Sequence, residues 1–329
     1  MIEAGTSLPV FTPLCTPHRS MNLINLILPI FGLIAVGWIA ARTGWLSDKV
    51  ATGLSEYVFS LAVPALIVVT LTRADTQGGI LPAYWVAYFG GSAITWAICT
   101  VVARRGLDKS RREALLHGAA SSQSNTIFVG VPLILQVYGD AGSVPLFMLL
   151  AVHLPVMMGA ATLLIESDSG SSPAARLLRL ARVLGRNPIF LSLVLGGVMR
   201  AAGIRLTGIP AGLVESVGAS ASTCALLSLG MAMTKYHIRA GLSGASLVCV
   251  GKLLLHPLCV WVLAFHVLSM PVAFAGVATL FAAMPTGINV YLMAANYREG
   301  EAPISAAVVL STFLSMATLA LWLVVLGRA

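Results

Sequence analysis

Apolar residues run through this chain in long blocks, and polar residues collect in the short gaps between them. Ten blocks of about 20 residues can be delimited, at 23–41, 51–71, 81–103, 114–138, 143–165, 187–203, 211–233, 243–268, 271–295 and 303–327. A helix of that length crosses a hydrocarbon core of roughly 30 Å. The gaps carry turn and charge signals, such as Arg42-Thr43-Gly44 and Arg104-Arg105-Gly106. The longest gap is the Ser- and Gly-rich linker 167–186. It separates a unit of five blocks at 22–166 from another at 187–329, with residues 1–21 as an N-terminal extension. The pattern predicts an all-α polytopic membrane protein with ten transmembrane helices.

The two halves echo each other. A shift of 159 residues aligns Pro29-Ile30-Phe31 with Pro188-Ile189-Phe190, Gly37 with Gly196, Gly44 with Gly203, and Gly53-Leu54-x-Glu56 with Gly212-Leu213-x-Glu215. Units with an odd number of spans, placed end to end, have opposite orientations in the bilayer, so the expected architecture is two inverted five-helix repeats. The fourth span of each unit is interrupted. One reads Ser121-Ser122-Gln123-Ser124-Asn125-Thr126-Ile127-Phe128-Val129-Gly130-Val131-Pro132, the other Met284-Pro285-Thr286-Gly287-Ile288-Asn289-Val290-Tyr291. Proline removes a backbone donor and displaces a carbonyl, and glycine lowers the cost of unwinding. Lipid cannot satisfy the freed groups, so a matched pair of breaks at membrane depth belongs in protein or beside a wet cavity. The fourth and ninth helices are therefore expected to be broken and to cross.

Composition agrees with the pattern. At 58% hydrophobic and 10% charged residues, a soluble globule of 329 residues could not cover itself with polar surface. The net charge of +8 is distributed by topology: fourteen Lys and Arg fall after odd-numbered spans and five on the other side. Positive-inside bias puts the first set in the cytoplasm and both termini outside, in what is expected to be a bacterial inner membrane. Basic residues confined to short loops make nucleic acid a poor partner. Residues 1–21, interrupted by Pro9, Pro13 and Pro17, have no signal-peptide core, and Met21 is the expected physiological start. The five cysteines imply neither a disulfide framework nor a metal site. No cofactor motif, phosphate loop or metal-ligand spacing occurs. A serine hydrolase built from Ser121, Ser122 or Ser124 with His153 or His256 has no motif to fix its geometry.

Four segments together resemble the auxin efflux carrier family, the group that includes plant auxin exporters and malonate transporter-like proteins. They are Asn25-Leu26-Ile27-Leu28-Pro29-Ile30-Phe31, Asn125 with Gly130-Val131-Pro132, Lys252-Leu253-Leu254-Leu255-His256-Pro257, and Pro285-Thr286-Gly287-Ile288-Asn289-Val290-Tyr291. The likeness extends from Met21 to the end and marks the chain as similar to bacterial members. It implies a scaffold part, a transport part whose crossing broken helices form the site, and movement of a small organic anion. It also implies that the family's site asparagines correspond to Asn125 and Asn289, and it makes homodimerisation an expectation. The linker is too short for the cytoplasmic loop of plant auxin exporters, so the resemblance does not single out auxin.

The residues support a compatible chemistry. Helix N-termini aimed at mid-membrane present N–H groups and positive dipole ends, a receptor for carboxylate without a fixed charge. Asn125 and Asn289 add amides, which either bind the anion or satisfy backbone groups freed by the breaks. Gly130, Pro132, Pro285, Gly287 and Tyr291 complete the expected substrate site. Lys252 stands well inside a span, where an ammonium is costly unless it is paired. It either attracts the anion, exchanges a proton, or bonds broken-helix carbonyls in place of a cation. His256, one turn on, faces the same side as partner or relay. Ser121, Ser122, Ser124 and Thr126 form a polar run before the first break, which is expected around Gly130 and Pro132, and each either serves the site or bonds back to its own helix. The expected function is a secondary transporter moving a small carboxylate, auxin- or malonate-like, by alternating access. The alternative is a sodium-coupled symporter of the bile-acid type.

Overall fold

The computed structural model describes residues 23–73, 82–166, 182, 185–236 and 241–327. The expected extension at 1–21 and most of the linker lie outside the described residues. Every named element is helical. In chain order these are α1 (Leu23–Arg42), α2 (Asp48–Arg73), α3 (Pro82–Gly106), α4 (Arg111–Ser122), α5 (Thr126–Ile165), α6 (Pro188–Ala201), α7 (Gly208–Met233), α8 (Leu242–Val267), α9 (Val272–Ala283), α10 (Ile288–Tyr297) and α11 (Glu301–Leu326).

Among the described residues, seven helices are long and apolar enough to cross a membrane: α1, α2, α3, α5, α7, α8 and α11. The difference from ten expected blocks has local causes. The block 114–138 is divided between α4 and α5, and 271–295 between α9 and α10. The 14-residue α6 is apolar but short. The 40 residues of α5 would extend about 60 Å at 1.5 Å per residue, twice a hydrocarbon core. Gly139, at φ 53° and ψ −137°, kinks α5 where the sequence places a gap between two blocks. That backbone conformation is essentially reserved for glycine.

Small residues set the helix packing. On α1, Gly37 lies against the Leu227 carbonyl of α7, and Gly230 of α7 lies against the Ile34 carbonyl of α1. Gly196 of α6 meets Leu71 of α2, and Gly218 of α7 abuts the Leu66 backbone. Across the molecule, Gly91 of α3 lies on Val260 of α8, and Gly118 of α4 on Trp96 of α3. Such close approaches replace the hydrophobic driving force that is missing between helices in lipid.

Two tryptophans tie helices together inside the protein instead of marking the membrane interface. Pro257 has no N–H for the Leu253 carbonyl one turn earlier, and the buried Trp322 indole of α11 donates to that oxygen at 3.0 Å. Trp96 donates to the Leu115 carbonyl at 3.1 Å. The Arg73 guanidinium pairs with Glu215, joining the ends of α2 and α7 at an exposed position.

Candidate functional site

α4 begins with Ser110 accepting from the Glu113 N–H at 3.0 Å, and it ends in serines. Ser121 and Ser122 bond back to the carbonyls of His117 and Gly118, at 2.8 and 3.0 Å. The chain then leaves the helix at Gln123, with φ −91° and ψ 120°, and re-enters it at Thr126. On the other side α9 ends at Ala283, Met284 is extended, and α10 begins at Ile288. The two non-helical stretches meet. Ser124 and Thr286 form an antiparallel bridge, Asn125 N–H donates to the Pro285 carbonyl at 2.8 Å, and Gly287 N–H donates to the Gln123 carbonyl at 3.0 Å.

The surrounding helices satisfy what remains. Thr286 N–H donates to Ser311 Oγ at 3.0 Å, and Thr286 Oγ1 donates to the Ala120 carbonyl at 3.2 Å. Backbone groups and two hydroxyls therefore hold the bridge, and the asparagine amides are not consumed in that task. Asn125 Nδ2 is buried with no hydrogen-bond partner, as is Gln123 Nε2. A buried unpaired donor costs about 1–3 kcal/mol.

Asn125 faces a cavity of about 370 Å³. Its walls include Thr126, Ile127 and Phe128 from the first turn of α5, and Gly287, Ile288 and Asn289 at the start of α10. The first N–H groups of a helix have no intrahelical partner and carry its positive dipole end. Two such ends thus converge on one cavity, and Asn125, whose amide nitrogen lies buried just behind the surface, is among its lining residues. Asn289 is half-buried and borders a second, much smaller void as well. Opposite them lie Ala51, Thr52, Ser55 and Phe59 of α2, and Ala232, Lys235 and Tyr236 at the end of α7. Burial, then the neighbouring Tyr291, pushes the Tyr236 phenol up to about 12, so it stays a protonated donor at neutral pH.

The other sequence-selected residues take distinct positions. Pro285 is buried and its carbonyl accepts the bond to Asn125. Gly287 lets the strands approach: a Cβ there would lie 3.0 Å from the Ser124 carbonyl oxygen. Gly130 and Pro132 sit inside the helical part of α5, with Gly130 N–H closing the first turn onto the Asn125 carbonyl at 3.2 Å. A Cβ on Gly130 would meet the Met284 side chain at 3.5 Å. The first non-helical stretch accordingly falls upstream of the Gly-Val-Pro triplet, at the polar residues Gln123, Ser124 and Asn125. Tyr291 packs edge-on against Tyr236, ring centroids 5.0 Å apart.

Lys252 and His256 lie behind the crossing, away from the cavity wall. Lys252 is fully buried in a π-turn of α8, Gly251–Leu255. Its ammonium donates to the Ala282 carbonyl in the last turn of α9 and to His256 Nδ1, the latter at 3.1 Å. With Nδ1 accepting, His256 carries its proton on Nε2 and donates to Ser92 Oγ at 2.9 Å, and Ser92 donates to the Tyr88 carbonyl at 2.9 Å. Tyr88 OH lies 3.1 Å from His153 Nδ1 and 3.4 Å from Ser124 Oγ, closing a polar chain from Lys252 to the crossing. Sequence reasoning missed Tyr88, Ser92, Gln123, Lys235 and Tyr236. Tyr88 and Ser92 share one face of α3 at i, i+4, the one signal that could have marked them.

A family model described as "Membrane transport protein" matches residues 22–323. A Rhizobium meliloti protein named "Putative malonate transporter" is 26% identical over 309 residues, covering 90% of this chain and 93% of that protein. A Methanothermobacter thermautotrophicus protein named "Uncharacterized transporter" is 27% identical over 317 residues, covering 93% of this chain and 99% of that one. The chain is thus a multi-pass membrane protein and belongs to this membrane transport family, the auxin efflux carriers.

Proposed function

We propose that this chain is a secondary carrier that moves a small carboxylate across a bacterial inner membrane by alternating access. The observation that carries this reading is Asn125, a cavity-lining residue whose buried Nδ2 has no partner, at a cavity where two helix N-termini converge. A carboxylate would receive the Asn125 and Asn289 amides and the free N–H groups of α5 and α10, with no fixed cation needed at the inner end. The volume of about 370 Å³ is near the lower bound of small-molecule sites, which suits a malonate-sized anion better than a steroid.

In this reading α4 with the start of α5, and α9 with α10, are the two broken crossings of a ten-span inverted repeat. Both termini lie outside, and the assembly is a homodimer. Lys252 supports the site structurally: its ammonium occupies the carbonyl end of α9, where a sodium-coupled carrier would place a metal ion. That position weighs against the bile-acid type of symport.

Reconstitution into liposomes tests the proposal. Labelled malonate should enter saturably, exchange in counterflow and emerge chemically unchanged, without sodium. Asn125→Ala should abolish most of the flux while leaving folded yield intact. Absence of flux for any mono- or dicarboxylate, or large single-channel currents, would refute it.

A further inference from the structure

Among the described residues, Lys235 is the charged side chain on the cavity wall. It sits in the turn closing α7, its N–H bonded to the Ala232 carbonyl at 3.1 Å. Its ammonium is 4.0 Å from Asp48 Oδ2, with the two side chains 45% and 75% exposed. A contact at that limit between exposed groups contributes little, so Asp48 holds the ammonium only loosely. Asp48 itself is not on the cavity wall, although Thr52 and Ser55 of the same helix are.

The cavity is consequently bipolar. One part of its lining has neutral donors, Asn125 and the helix N-termini, and another has the loosely paired cation Lys235. Phe59, Phe128 and Leu292 supply apolar wall. A monoanion satisfies the neutral donors and leaves Lys235 on Asp48. A dianion with a short apolar middle engages both. We propose that Lys235 is the specificity residue that makes this carrier prefer dicarboxylates, by taking the second carboxylate in exchange for Asp48. This rests on the carboxylate-site reading above and narrows it.

The test compares malonate with monomethyl malonate, which keeps one carboxylate and esterifies the other. Dissociation constants are measured by titration calorimetry on the purified full-length protein, wild type and variants. Wild type should bind malonate about tenfold or more tighter than the monoester, the discrimination expected of one charge-assisted contact. Lys235→Gln should bring that ratio to about threefold or less by weakening malonate alone, and Lys235→Arg should retain it. Asp48→Asn should tighten malonate, because the ammonium loses its resting partner. A ratio near one in wild type, or a ratio unchanged in Lys235→Gln, would overturn the proposal while leaving a carboxylate site at Asn125. Binding of both compounds that is unchanged in Asn125→Ala would instead remove the carboxylate site at Asn125, and this inference with it.

Discussion

The two groups of helices differ in what their buried polar side chains reach. In α1, α2, α6 and α7 the buried polar residues are Thr72, Ser192 and Ser228. Each bonds only its own helix, to the carbonyls of Val68, Ile189 and Ala225. A half-buried Tyr57–Ser220 hydrogen bond of 2.7 Å crosses between α2 and α7; apolar and glycine contacts dominate the rest. In α3, α4, α8, α9 and α11 many buried hydroxyls also bond their own helix, as Thr95, Ser121, Ser122, Thr279 and Thr312 do, but a further set of buried groups bonds across helices. Lys252 reaches α9, His256 reaches α3, Trp322 reaches α8, and the Thr286 backbone reaches α11. Cross-helix hydrogen bonds are directional and fix relative positions, whereas apolar surfaces constrain by shape alone. The second group is thus tied into one body, and the cavity lies where it faces α2 and α7 of the first. Alternating access as proposed needs this contrast: a bonded body to carry the anion, and a smooth face to move against.

The largest expected effect comes from roughening the smooth group. A side chain on Gly230 must displace the Ile34 carbonyl backbone, which cannot yield as a flexible side chain would. Gly230→Leu should therefore cost about 3 kcal/mol or more, as severe overpacking does. Size-exclusion profiles and thermal melts should show little folded protein. A well-folded Gly230→Leu protein would mean that α1 and α7 are not in this close contact.

Loosening the bonded group should cost somewhat less. Lys252→Met keeps the volume and removes the ammonium, leaving the Ala282 carbonyl and His256 Nδ1 without their donor. One or two buried unsatisfied acceptors predict a loss of about 2–3 kcal/mol. Transport should fall, and its residual pH profile should match that of wild type, since the role assigned to Lys252 is support. A shifted profile at unchanged melting temperature would reassign it to proton coupling.

Next in size is Asn289→Ala, at the cavity between the groups. The residue is half-buried and its loss removes a donor from the bound anion without unpairing the backbone crossing. Affinity for malonate should fall about fivefold to tenfold, roughly 1 kcal/mol. The melting temperature without ligand should stay constant, and thermal-shift titration checks both. Unchanged affinity would move the site away from α10.

The helices and one of the two non-helical stretches were legible in the sequence because they follow from local chemistry. Block lengths predict the helices, and Pro285 with Gly287 marks the second non-helical stretch. The first was placed too far along. Gly130 and Pro132 look like breakers, yet the helix runs on through both, with Pro132 just after the π-turn Thr126–Gly130; it is the run Gln123-Ser124-Asn125 that leaves the helix. The long apolar helices number fewer than the ten blocks wherever a block is split or short, since hydropathy averages over a break. Cross-helix partners such as Tyr88 for His153 or Trp322 for the Leu253 carbonyl stand far apart in the chain, and no spacing rule reaches them. Lys235 was hidden because a cation beside a loop is ordinarily topology, and only the fold turns it toward the cavity.

The smallest effect should come from the serines that look most like site residues. Ser121 and Ser122 stand immediately before the crossing, both fully buried, yet each hydroxyl is spent on a carbonyl of its own helix. Such back-bonds slightly destabilise a helix, and the carbonyls they use already accept helical bonds. Ser122→Ala should therefore leave melting temperature and malonate affinity within error, at most about 0.5 kcal/mol. Ser124→Ala provides the internal contrast: its hydroxyl lies near Tyr88 and its residue lines the cavity, so it should weaken binding measurably. If Ser122→Ala weakened binding as much as Ser124→Ala, the crossing would have to be polar along the whole serine run. The division between residues that hold their own helix and residues that reach outward would then fail at the place where it is drawn most finely.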